Sequence, residues 1–370
     1  MANYEELGVK KVINAAGTYT KYGGSLMSEE VLQAMQQAAT QYVDIDQLLI
    51  KSGQYISDLL GVESALVTAG AAAGLTISSA AAMLDKDDYR ITHLPRTETE
   101  KKEIIVMRCH RNPYDQALEM SGARIKEIGN AIETEPLQLK GAINDQTAAV
   151  VFFAQSEMFR ASLTLKQVTE ICDKFNVPVI VDAAAELPPL ENLTSFYEQG
   201  ATAVLFSGGK DIREPQSSGL IIGTKDFIEK CRQNSYPHHA VGRPMKLDKE
   251  TIMGFVRALE LYLKEDHQQR RKYWQKITQK MVGQLKDLKE IEGAKVDYPT
   301  QPYTQPAVIP RAYLKFAAGS NLKPQGMARK LKEKDPAIVV VTDKEHLILN
   351  PQMLEPGEEE VVIKSIRELL

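Results

Sequence analysis

Residues 179–182, Val-Ile-Val-Asp, and residues 205–210, Leu-Phe-Ser-Gly-Gly-Lys, decide how this chain is read. Each is an apolar run that stops on a polar group, the pattern of a buried strand whose carboxyl end opens into a turn. A lysine directly after two glycines is a poor core residue. At a strand's end its amine can reach a cleft, where desolvation or neighbouring positive charge lowers its pKa and makes it a nucleophile for a carbonyl. The spacing of about 28 residues between Asp182 and Lys210 fits adjacent βα units. Taken singly, Lys210 also reads as an exposed loop lysine and Asp182 as a helix N-cap.

Outward from these runs, from about residue 55 to 240, short β-branched stretches alternate with helical ones, which predicts an α/β domain on a largely parallel sheet. The strands are expected near 65–68, 104–108, 124–128, 148–153, 177–181, 201–206 and 219–222. The clearest helical pattern is 164–175, with Leu165, Val168, Ile171 and Cys172 on one face before Asn176-Val177-Pro178 returns the chain to a strand. The expected division is an N-terminal segment (1–50), a large domain (51–247), a long connecting helix (248–298) and a small C-terminal α/β domain (299–370). Ile252, Phe255, Leu259 and Leu263 line one face of that helix. The small domain is entered through the Pro-rich stretch 299–310, with strands near 313–316, 338–341 and 347–349.

The 370 residues suit one large and one smaller domain. Apolar residues at 43% and charged residues at 25% exclude a disordered or collagen-like chain. With 45 basic against 49 acidic residues the net charge is −4, so no global positive field is available for nucleic acid or an anionic membrane. Residues 64–84 carry no charge, yet Ala, Gly, Ser and Thr dominate them, which reads as strand, turn and buried helix rather than a membrane span. Cys109, Cys172 and Cys231 are widely spaced, and no apolar leader opens the chain, so a reducing, cytoplasmic setting is expected. HExxH and CxxC are absent and His238-His239 reads as a loop, so no metal is expected. Nor is SGGK a nucleotide phosphate loop, because Val204 stands at the first glycine and Asp211 replaces Ser/Thr.

A lysine able to form a Schiff base, and a strand-end carboxylate able to pair with a pyridinium nitrogen, are what pyridoxal 5'-phosphate (PLP) requires. Its phosphate would be held at Gly70-Ala71-Ala72, where a strand turns into a helix and backbone N–H groups can approach an anion. Ser207, Ser217 and Ser218 would add hydroxyl donors. Arg108-Cys109-His110 closes another strand and places an imidazole where it could stack on a ring or shuttle a proton.

Six segments, VINAAGTYTKYGGS (12–25), VTAGAAAGL (67–75), HRNPYDQA (110–117), VPVIVDAAAELPP (177–189), FSGGKDIREPQSSGLIIG (206–223) and PHHAVGRPMK (237–246), together resemble the SelA-related branch of fold type I PLP enzymes. That branch comprises selenocysteine synthase relatives, including D-glucosaminate-6-phosphate ammonia lyase. The resemblance covers roughly residues 7–265. It puts the Schiff-base lysine on Lys210, the pyridine-pairing aspartate on Asp182 and the ring-stacking histidine on His110. It implies a mostly parallel seven-stranded sheet with a smaller C-terminal α/β domain. It further implies a homodimer or larger homo-oligomer with active sites at the subunit interface, and Asn14 near the cleft.

The expected activity is α,β-elimination of a small polar, possibly phosphorylated, β-hydroxy amino acid to a 2-oxo acid and ammonia, with Arg96, Arg160, Arg213 and Arg243 as candidate anion grips. Racemisation or amino transfer would use the same Lys210 and Asp182. Selenium transfer to seryl-tRNA is disfavoured, since the motifs begin almost at residue 10 and leave no room for an N-terminal RNA-binding module. Ala69 stands where relatives often have Ser, and Asp211 and Glu214 stand where Ala and Gly are common, placing two extra acids beside Lys210.

Overall fold

The first strand of the chain, β1 (Val12–Ala15), belongs to a sheet otherwise built from the C-terminal residues. The computed structural model describes residues 2–157, 159–299 and 306–370. Its contacts divide the chain into a larger unit, 27–264, and a smaller one made of 1–26 and 265–370.

The larger unit holds seven strands: β2 (Ser64–Thr68), β3 (Glu103–Met107), β4 (Arg124–Ile128), β5 (Thr147–Phe153), β6 (Val179–Asp182), β7 (Ala203–Ser207) and β8 (Gly219–Gly223). Their order across the sheet is β2-β8-β7-β6-β5-β3-β4. Strand β8 is antiparallel to both its neighbours, and the other pairs are parallel. All seven residues of β5, Thr-Ala-Ala-Val-Val-Phe-Phe, are buried, because helices cover both faces of a parallel sheet and leave no solvent side to alternate with. The uncharged run 64–84 is β2 followed by the helix Ala71–Met83. Gly74 lets that helix approach the sheet: a Cβ there would sit 2.6 Å from Leu205 Cδ2. Among the described residues no helix is long and apolar enough to cross a membrane.

The smaller unit adds β9 (Ile291–Asp297), β10 (Arg311–Phe316), β11 (Ala337–Thr342) and β12 (His346–Leu349), in the order β1-β11-β12-β10-β9. Strand β1 runs parallel to β11, pairing Val12 with Ala337 and Ala15 with Val340. Ile13, Ala15, Leu314, Met327, Ile338, Leu347 and Val362 belong to this unit's own apolar core. Two elements differ from the sequence reading. The expected long helix is two, Lys249–Lys264 and His267–Leu285, because Asp266 accepts the N–H groups of Gln268 and Gln269 and caps a new helix. Residues 291–297, read as the tail of that helix, form β9. Of the expected Pro-rich linker, 300–305 lie outside the described residues.

Candidate active site

Because β2, β7, β6, β5 and β3 run the same way, their carboxyl ends share one edge of the sheet, and β8 begins there. Ladder registers fix who meets whom. Gly219 lies between Thr68 and Ser207, and Asp182 lies between Leu205 and Phe153. The turn after β2 therefore flanks the lysine turn on one side, and Asp182 flanks it on the other. This is where open α/β sheets bind ligands.

Lys210 is half-buried, and among the described residues its amine makes no hydrogen bond or ion pair. Burial pushes its pKa down, opposed by the negative charges of Asp182 and Glu186. Asp182 accepts the Ala184 N–H at 2.9 Å. Burial raises its pKa, while the Ala184 bond and Lys210 pull the other way. Three residues on from Ala183, Glu186 is pushed up to about 7, first by burial and then by the negative charge of Asp182.

Gly70 caps the helix Ala71–Met83 with φ +100, a conformation that favours glycine. The N–H groups of Ala71, Ala72 and Ala73 open that helix without internal acceptors. A Cβ on Gly219 would fall 2.6 Å from the Gly70 carbonyl carbon, so two backbones meet at van der Waals distance and leave the helix mouth open beside the lysine turn. A nucleophilic amine, a carboxylate and an anion-binding helix mouth on one edge fit a ligand carrying a carbonyl, a basic ring nitrogen and a phosphate.

The sequence matches the model of the family described as SelA, L-seryl-tRNA selenium transferase, over residues 12–354. The chain belongs to the SelA family. It is 36% identical to the D-glucosaminate-6-phosphate ammonia lyase of Salmonella typhimurium (strain 14028s / SGSC 2262) over 264 residues, 70% of this chain and 69% of the relative. It is 30% identical to the 5'-C-glycyluridine monooxygenase-decarboxylase of a Streptomyces species over 378 residues, 99% of this chain and 92% of the relative. A solved structure of D-glucosaminate-6-phosphate ammonia-lyase superposes on all of this chain and 98% of its own, with a TM-score of 0.85 at 29% identity. The fold is that of fold type I PLP enzymes.

In this SelA-family chain the remaining expected residues divide. Ser207 is half-buried and Ser217 exposed at the lysine turn. Ser218 is buried and donates its one hydroxyl proton to the Pro215 carbonyl at 2.6 Å, so it has no donor left for a phosphate. His110 follows β3 directly. Its ring is fully buried, edge-on to Phe152 at 4.7 Å; Nδ1 accepts the Phe153 N–H at 3.1 Å, leaving Nε2 to donate to Ser162 Oγ at 2.8 Å. Burial holds its pKa down at about 3. Both ring nitrogens are thereby engaged, and the side chain ties the loop after β3 to the end of β5.

Arg160, Arg213 and Arg243 are exposed. Arg213 follows the lysine, its N–H donating to the Lys210 carbonyl, whereas Arg243 lies over the Tyr236 ring at 5.2 Å. Asn14 lies in β1 of the smaller unit, where its amide bonds the Gly17 carbonyl and its oxygen accepts the Ala16 N–H. Two groups escaped the sequence reading. Glu186 sits inside the quoted VDAAAE segment, and Ser156, after β5, keeps a buried Oγ with no partner among the described residues.

Proposed function

We propose that this protein is a PLP-dependent lyase that eliminates the β-hydroxyl of a small polar amino acid, free or phosphorylated, and releases a 2-oxo acid and ammonia. The observation that carries the reading is the partly desolvated Lys210 amine, without a partner among the described residues, at the carboxyl edge of the sheet within the field of Asp182. Lys210 would bind the PLP carbonyl, Asp182 would face the ring nitrogen, and the N–H groups of Ala71–Ala73 with Ser207 and Ser217 would hold the phosphate. When bound, PLP supplies an electron sink that acidifies the substrate's Cα proton.

Removing that proton requires a neutral base, and desolvation favours the neutral Lys210 amine. Once taken, the proton rests on Nζ beside Asp182 and Glu186, two groups whose negative charge stabilises the ammonium. The overall change is redox-neutral. A proton leaves Cα and hydroxide leaves Cβ, together one water; Cβ then regains a proton, and a second water replaces the nitrogen, which departs as ammonia. Arg160, Arg213 and Arg243, with Asn14, are the proposed grips on substrate carboxylate and phosphate. The working form is a cytoplasmic homodimer or larger homo-oligomer, with 51–247 as its cofactor domain.

The test is the absorbance of purified protein with PLP, before and after borohydride, beside Lys210→Ala. A long-wavelength band that borohydride abolishes and the variant lacks supports the site, and ammonia release from hydroxy amino acids then supports the reaction. No band after adding PLP overturns the reading. A second reading, oxygen-dependent decarboxylation, draws on the relative that matches 99% of the chain; oxygen uptake without ammonia release would favour it.

A further inference from the structure

Two acids follow Lys210 in its loop, and neither is used by the chemistry above. Asp211 is 1% exposed and accepts the Tyr262 hydroxyl at 3.0 Å, which pins the loop to the helix Lys249–Lys264. Glu214 is completely buried, and its Oε1 has no partner among the described residues. Its other oxygen, Oε2, lies 3.4 Å from Ser218 Oγ. That hydroxyl has a single proton, already given to the Pro215 carbonyl at 2.6 Å, so only lone pairs face Glu214. The contact is attractive only when Glu214 itself carries a proton and donates it.

The same carboxyl explains Gly208, and the backbone two residues beyond Glu214 explains Gly209. A Cβ on Gly208 would lie 2.0 Å from both Glu214 Oε2 and Ser218 Oγ, and a Cβ on Gly209 would lie 2.6 Å from Gln216 Cα. Residues 214–218 therefore pack directly on the lysine turn, and backbone bonds close the loop: Gly208 N–H to the Ser218 carbonyl at 2.9 Å, Glu214 N–H to the Gly208 carbonyl at 3.2 Å.

We propose that Glu214, carrying its proton, is a positioning residue that braces the turn presenting Lys210. The proposal rests on the reading of Lys210 as the PLP-binding lysine. Burial keeps the carboxyl neutral, and no charged group among the described residues contributes to that state. A neutral isostere should therefore replace it and a truncation should not.

The experiment compares PLP-loaded wild type, Glu214→Gln and Glu214→Ala by PLP retention on dialysis and by the position and pH midpoint of the lysine-bound absorbance. Melting of the three cofactor-free proteins is followed against pH. Glu214→Gln should match wild type in retention and band. Glu214→Ala should hold PLP about tenfold more weakly, with a displaced midpoint. Melting adds a readout that does not depend on loading. The buried acid stays neutral while the unfolded chain ionises above 4.5, so wild-type stability falls as pH rises, and that contribution should vanish in Glu214→Gln. The proposal is overturned if Glu214→Ala loads and titrates like wild type, or if folded Glu214→Gln loses PLP. Should Glu214→Ala not fold, the glutamine variant's band and melting slope decide alone. A wild type without any band defeats the earlier reading and is distinguishable from both.

Discussion

Lys210 matters through what its surroundings withhold. Among the described residues no acceptor fixes its amine, so it can turn toward a carbonyl, yet it stays within the fields of Asp182 and Glu186. Lys210→Arg preserves the charge and removes the nucleophile; PLP should then bind without the borohydride-sensitive band, which dialysis with and without borohydride will detect. Glu186 ionises as pH rises through about 7, and its charge holds the lysine's proton in place. Glu186→Gln should therefore release neutral amine at lower pH and move the midpoint for PLP capture downward, and an unchanged midpoint in stopped-flow absorbance would count against it. His110 stays neutral while an unfolded histidine gains a proton below 6.5, so the fold loses stability as pH falls from 6.5 toward about 3. In His110→Gln this acid-side slope should flatten, at a cost of about 2 kcal/mol in denaturant titrations at neutral pH.

At the scale of elements, the site is a consequence of ladder register. Gly219 sets Thr68 and Ser207 on either side of one residue, and its missing side chain lets the turn after β2 close on β8. Gly219→Ala should spread these backbones, destabilising the protein by about 1–3 kcal/mol and weakening phosphate-dependent PLP retention more than stability; equilibrium denaturation beside PLP dialysis checks both.

The seven strands were readable because buried parallel strands are unbroken apolar runs, and Asp182 and Lys210 were readable because they end such runs. His110 was not. Its commitments come from Phe153 and Ser162, more than 40 residues away, and no local pattern encodes that both nitrogens are spent. Ser156 and Ser218 look alike in sequence, yet the Ser218 hydroxyl is spent on a carbonyl three residues back while that of Ser156 has no partner among the described residues. The helix break did leave a signal, Asp266 ahead of a helical run, which the expectation of one continuous helix over 248–298 passed over.

For the whole molecule, exposed apolar side chains are frequent in the first 60 residues, among them Tyr42, Val43, Ile50, Tyr55 and Leu59. Large exposed apolar groups in such numbers favour association, so light scattering should give at least twice the 41.2 kDa of one chain; a monomeric mass at micromolar concentration would contradict the homo-oligomer. Pairing of β1 with β11 bears on how the protein is made. Val12 emerges from the ribosome 325 residues ahead of its partner Ala337, roughly 15 to 65 s at ordinary elongation rates. The unit spanning 27–264 is continuous and can collapse during that wait, whereas β1 must stay unpaired, in need of protection from neighbouring nascent chains, until β11 has been made.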